Sequence, residues 1–165
     1  MNRKVLFIVH ASVIAALYVV LTFVANAFGL ANYAVQVRFS EALTILPFFT
    51  PAAIPGLTLG CLLSNILTGC ALPDIIFGTL ATLIGAVLTW LLRRNKWLAP
   101  VPPIVANTAI VPFVLYYAYG IRPLWFSFIT VGAGEILSCG ILGILLLNVL
   151  NKYKKYIFPA TKTQA

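Results

Sequence analysis

Acidic residues are nearly absent from this chain. Its 165 residues include three Asp and Glu in all, one His and one Met, and only 8% are charged. Soluble domains carry about 25% charged residues. With 62% hydrophobic residues and a mean hydropathy of +1.04, so little charge excludes a water-soluble enzyme and a disordered segment. The three cysteines, Cys61, Cys70 and Cys139, are odd in number, form no C-x-x-C and lie in apolar stretches. A disulfide-stapled secreted module is therefore excluded, and small packing residues are the expectation, with no metal or redox role. No H-E-x-x-H, G-x-S-x-G or Gly-Lys dipeptide occurs, so the chain has no zinc-protease helix, nucleophile elbow or P-loop with which to hydrolyse ATP. No catalytic residues and no cofactor are expected.

What is present is long apolar sequence, which predicts an all-α integral membrane protein. Crossing the hydrocarbon takes about 20 helical residues. The apolar stretches give spans at about 5–28, 40–50, 54–70, 74–92, 101–119 and 123–150, followed by a basic tail over 151–165, all within one membrane domain. The second and third arise from one run over 39–71, too long for a single crossing. It contains Pro47, Pro51 and Pro55, and proline removes a helix donor and clashes with the preceding turn, so a break near Thr50–Ala53 is expected. Val5–Phe28 ends in an Ala-x-Ala pattern like that of a signal peptide. It exceeds the about 7–15 residues of a signal core and reads as a retained first helix.

The eleven Lys and Arg give a net charge of +8. Nine of them gather at Arg3-Lys4, at Arg93-Arg94 with Lys96, and at Lys152, Lys154, Lys155 and Lys162, where apolar runs stop; Arg38 and Arg122 stand apart. That is the pattern of cytoplasmic anchors, not of a nucleic-acid surface. Six crossings with both termini in the cytoplasm put all three clusters on one side. Small residues recur at four-residue spacing in Gly56, Gly60, Ser64 and Thr68, in Gly78, Thr82, Ala86 and Thr89, and in Ala11 and Ala15. Such rows let helix backbones approach closely in lipid.

An ionised side chain at bilayer depth costs about 2.5–3.5 kcal/mol or more, so each acid needs a reason. Glu41 stands three residues after Arg38, as in an interfacial ion pair. Asp74 follows Pro73 at a helix start, where an acid satisfies orphan backbone donors. Glu135 lies deep in the last span, after Gly132-Ala133-Gly134 and away from any basic residue; it is the strongest functional candidate. Asn26, Asn65 and Asn107 add amides that need partners. A few polar groups among apolar walls make the composition of a small-molecule pocket. Tyr116, Tyr117, Tyr119 and Trp125 fit either an interfacial aromatic belt or a stacking surface. His10 has no acid or cysteine at metal-ligand spacing and reads as an ordinary helix residue.

The segments Val37-Arg38-Phe39-Ser40-Glu41-Ala42-Leu43-Thr44-Ile45-Leu46-Pro47, Pro51-Ala52-Ala53-Ile54-Pro55-Gly56-Leu57 and Gly134-Glu135-Ile136-Leu137 resemble the QueT family. Its members look like substrate-binding S components of energy-coupling factor (ECF) vitamin transporters and are linked to queuosine precursors. The resemblance implies six helices, a pocket in the outer half, and a complex in the cell membrane with a T component and two cytoplasmic ATPases. Ala11 and Ala15 would form the face of the first helix that docks on the T component. It also implies a 7-deazaguanine ligand, such as preQ0 or preQ1. A carboxylate can accept from its N1–H and exocyclic amine together. Glu135 is assigned to that guanine edge. Asn65, Asn107 and Arg38 are assigned to orienting the base, Asp74 or Glu41 to an aminomethyl ammonium, and Trp125 or Tyr116 to stacking. The competing readings are another vitamin or purine-like ligand in the same architecture, an intramembrane enzyme using the acids, and a subunit with no ligand.

Overall fold

The protein is described by a computed structural model covering residues 2–29 and 38–158. Among the described residues there is no strand. The elements are α1 (Arg3–Ala27), a 3-10 helix (Phe39–Phe48), α2 (Ala53–Leu67), α3 (Leu72–Leu91), α4 (Val101–Tyr119), α5 (Leu124–Glu135), a π-helical segment (Ile136–Leu142) and α6 (Gly143–Ile157). The last three are continuous, so 124–157 is a single rod with a π segment in its middle. With α1, α3 and α4 it makes four rods long and apolar enough to cross a membrane. The 3-10 helix and α2 are shorter apolar helices. The chain is thus an all-helical polytopic membrane bundle.

The break near Thr50 falls where the prolines direct it, between Phe48 and Ala53. The segment before it is a 3-10 helix rather than an α-helix, and local chemistry accounts for this. The Thr44 hydroxyl donates to the Glu41 carbonyl at 2.6 Å, the i−3 partner, and Pro47 has no N–H to offer an i−4 carbonyl. Ten residues is long for this geometry. At about 2 Å per residue the helix is also shorter than the about 30 Å hydrocarbon. Non-α backbone at that depth is tolerated where protein covers it, and Ser40 through Pro47 are all buried.

Lipid supplies no hydrophobic drive between helices, so close packing must hold them together. The small-residue rows do this pairwise. A side chain added at Gly56 would meet the Ala11 carbonyl oxygen at 2.7 Å, and one at Gly60 would meet Tyr18 Cβ at 2.7 Å and the Ala15 carbonyl oxygen at 3.1 Å. The two rows expected on α1 and α2 therefore face each other, and Ala11 and Ala15 lie half-buried in that seam. On α3, Gly85 lets Pro103 of α4 approach, its Cα 2.8 Å from where a Cβ would be. Thr89 donates to the Ala99 carbonyl at 2.9 Å.

The short connections at 49–52, 68–71, 92–100 and 120–123 make successive helices antiparallel neighbours. The basic groups of Arg3, Lys4, Arg93, Arg94, Lys96, Lys152, Lys154 and Lys155 consequently share one end of the bundle. Lys152, Lys154 and Lys155 extend the last rod as its final turns, and the tail beyond Phe158 lies outside the described residues. At this basic end Phe158 stacks on Phe49, centroids 5.4 Å apart, and meets His10 edge-on. Arg38 and Asp74 lie at the opposite end.

Candidate functional site

The acids occupy the half of the bundle away from the basic end. Glu41 enters from the 3-10 helix and is 2% exposed; Glu135 enters from α5 and is 7% exposed. One carboxylate oxygen from each and the Cys139 sulfur all lie within 4.8 Å of one another. Two carboxylates 94 positions apart in sequence are thus brought to one point. Glu41 is held on both oxygens: the Tyr18 hydroxyl donates to Oε1 at 2.5 Å and the Asn107 amide to Oε2 at 3.4 Å. The Cys139 thiol lies 3.1 Å from Glu135 Oε2 and 3.4 Å from the Glu41 carbonyl. Four separate elements, α1, the 3-10 helix, α4 and the last rod, therefore converge on this polar cluster.

A cavity lies among these groups, lined by Arg38, Glu41, Thr82, Asn107 and Glu135 with Gly78, Val111 and Val131. Its free volume for a water centre is about 10 Å³, room for about one water. A bicyclic base does not fit this arrangement, so the walls must part to admit one. The π segment begins directly after Glu135. Such segments often mark functional sites in helices; here it carries Cys139 into the cluster.

The remaining expected residues are placed as follows. Asp74 is buried beside the cavity without lining it; its carboxylate is 4.0 Å from Arg38 Nη2 and accepts from the Tyr119 hydroxyl at 3.2 Å. Tyr119 also accepts from the Ala71 amide, at 3.0 Å, so this group ties α4 to the start of α3. Asn65 is buried between α2 and α3, with Nδ2 3.5 Å from the Asp74 carbonyl and 3.6 Å from Cys61 Sγ. It braces helices and does not line the cavity. Trp125 is 63% exposed, and Tyr116 lies under the Arg122 guanidinium, 5.2 Å from its ring centroid. Neither aromatic reaches the cavity, whose apolar walls are Val111 and Val131. Asn26 is half-buried in the last turn of α1. The three cysteines are unpaired thiols.

Sequence reasoning passed over Tyr18 and gave Gly78, Thr82 and Cys139 packing roles only. Tyr18 carried the one available signal: a phenol in the middle of an apolar helix needs a partner for its hydroxyl. Glu41, Glu135 and Cys139 also form a donor set that could take a metal ion by distance.

Residues 8–152 match the model of a family described as the QueT transporter. The chain belongs to the QueT transporter family. A curated member, the queuosine precursor transporter QueT of Lactococcus lactis subsp. cremoris (strain MG1363), is 37% identical over 83 residues, 50% of this chain and 48% of that protein. The match thus spans about half the length of that relative. No solved structure matches the chain.

Proposed function

We propose that the chain is the substrate-capture S component of an ECF-type importer and that it binds a queuosine precursor, a 7-deazaguanine such as preQ0 or preQ1. The observation that carries this reading is the meeting of Glu41, Glu135 and Asn107 on one cavity, in the half of the bundle away from the basic end. In a chain of transporter family, buried acids that cost energy to insert and that face a cavity are explained by a polar guest. Glu135 takes the guanine edge through its N1–H and exocyclic amine. Asn107 and Arg38 orient the base, and Glu41 takes the substituent at position 7. Asn65 and Asp74 support the walls from behind. Gly78 and the apolar side chains of Val111 and Val131 stand where an aromatic stack was expected from Trp125 or Tyr116.

The basic end is the cytoplasmic end of six passes, with both termini inside the cell and the cavity toward the outside. Energy comes from two cytoplasmic ATPases, since the described sequence holds no P-loop of its own and the importer reading places ATP hydrolysis on partners. They act through a T component that docks along α1 beside Ala11 and Ala15. That helix is suited to the contact: 17% of its most apolar stretch is buried, against 33–44% in the other long rods.

Titration calorimetry of the purified chain with 7-deazaguanines tests the binding reading. Saturable binding without turnover supports it; no binding of any 7-deazaguanine, or conversion of one, overturns it. Co-purification with a T component and ATPases tests the coupling; a folded chain that captures neither overturns it.

A further inference from the structure

A second cavity opens at the basic end of the bundle. Its free volume for water centres is about 170 Å³, against about 10 Å³ in the acid-lined cavity. Arg3, Leu6, Phe7 and His10 line it from α1, and their i, i+3, i+4, i+7 spacing puts all four on one helix face. Thr50 faces them from the turn after the 3-10 helix, and Phe158 from the end of the last rod. The polar groups on these walls are donors. Arg3 brings a guanidinium and His10 a ring N–H. The Thr50 hydroxyl accepts from the Ala52 amide at 3.3 Å, which leaves its own hydrogen to donate. The three acids of the chain, Glu41, Asp74 and Glu135, all lie in the other half. Among the described residues, therefore, no carboxylate at this end meets Arg3.

From this we infer that the cavity is a binding site for an anionic phospholipid, whose phosphodiester sits against Arg3, His10 and Thr50. The inference is independent of the 7-deazaguanine reading. Basic pockets between spanning helices suit anionic headgroups, and a guanidinium fork matches phosphate oxygens. About 10–15 Å³ of such volume holds one water, so the cavity has room for about ten waters, enough for a phosphodiester with its nearest glycerol carbons. The apolar walls favour a lipid over a soluble anion. Leu6, Phe7 and Phe158 offer the glycerol and first methylenes a dry surface, so apolar burial adds to charge pairing. Phe7, Ile8 and Val9 are exposed, so the cavity adjoins a stretch of α1 open to acyl chains. A zwitterionic lipid brings a cation along with its phosphate, and no described acid is at hand to receive it. Selection for net negative charge follows. His10 precedes Ala11, whose carbonyl meets Gly56, so the bound lipid also steadies the basic end of the α1–α2 seam.

The test is native mass spectrometry of the full-length protein released from lipid nanodiscs that hold equal amounts of phosphatidylglycerol and phosphatidylcholine. The expected result is one retained phosphatidylglycerol per chain, preferred over phosphatidylcholine by at least about tenfold. Arg3→Gln should remove most of that preference. Lys4→Gln takes the same charge from the same end, but Lys4 does not line the cavity, so the preference should survive. Equal retention of the two lipids by wild type overturns the inference. So do equal losses in the two variants, because the attraction is then to the basic end at large. Displacement of the retained lipid by millimolar inorganic phosphate would assign the cavity to a soluble anion and overturn the lipid as its occupant. Unchanged retention in Arg3→Gln, with loss of a co-purified protein partner, would give the cavity to that partner and overturn it as well. Arg3 and Lys4 are exposed, so both variants should fold, which circular dichroism checks; if either does not, the wild-type ratio and the phosphate arm decide.

Discussion

Gly60→Ala is the sharpest perturbation of the frame that holds the site. The added methyl would lie 2.7 Å from Tyr18 Cβ and 3.1 Å from the Ala15 carbonyl oxygen. Carbon atoms in contact prefer about 3.5–4.0 Å, so α1 and α2 must separate by about 1 Å. Neither obstacle is the far end of a flexible side chain, and overpacking of this kind costs about 1–3 kcal/mol. Alanine returns about 1 kcal/mol through helix propensity. The net expectation is a loss of up to about 2 kcal/mol. The displaced residue is Tyr18, whose hydroxyl holds Glu41, so ligand affinity should fall together with stability. Gly140→Ala is the control, because its nearest neighbours would be 3.8 Å away, ordinary contact. Thermal unfolding and ligand titration of both variants in the same nanodiscs compare them directly. If Gly60→Ala is as stable as Gly140→Ala and binds ligand as well as wild type, the close α1–α2 seam and its link to Glu41 are wrong.

Tyr18→Phe removes the donor to Glu41 Oε1 and leaves a buried carboxylate oxygen short of a partner. An affinity loss of about tenfold or more is expected, with circular dichroism confirming an unchanged helical fold; unaltered affinity would show that Tyr18 does not position Glu41. Asp74→Asn removes a charge from the buried contact with Arg38 and weakens the acceptor for Tyr119. It should lower stability by about 1–3 kcal/mol in thermal unfolding. Its effect on ligand affinity should be smaller than that of Glu135→Gln, because Asp74 does not line the cavity.

The architecture was legible because lipid imposes simple rules. Apolar length marks the rods, Pro47, Pro51 and Pro55 mark the break, and the positions of Lys and Arg mark one end of the bundle. The small-residue rows were also legible, and the structure adds that the Ala11–Ala15 and Gly56–Gly60 rows pack on each other. The site was legible in part. Glu41, Glu135 and Asn107 could be chosen because polar groups in oil need partners, and they do converge. Asn65 obeys the same rule but finds its partners at a helix–helix contact, and sequence alone does not separate the two outcomes. Trp125 and Tyr116 were ambiguous because an aromatic at a helix end serves a belt as well as a pocket. Two features depend on geometry that no periodicity encodes. The 3-10 winding of Phe39–Phe48 turns Glu41 toward α1 and α4, and the π segment after Glu135 brings Cys139 into the cluster.

The measurement that bears most directly on the account is the dissociation constant of a 7-deazaguanine for wild type and for Glu135→Gln, at equal lipid composition and pH. A carboxylate that accepts two donors from the base becomes an amide with one acceptor and one misdirected donor. The account predicts an affinity loss of at least about tenfold in a variant that remains folded. Unchanged affinity in that variant would contradict it, because the acid buried deepest along the last rod would then have no part in holding the guest.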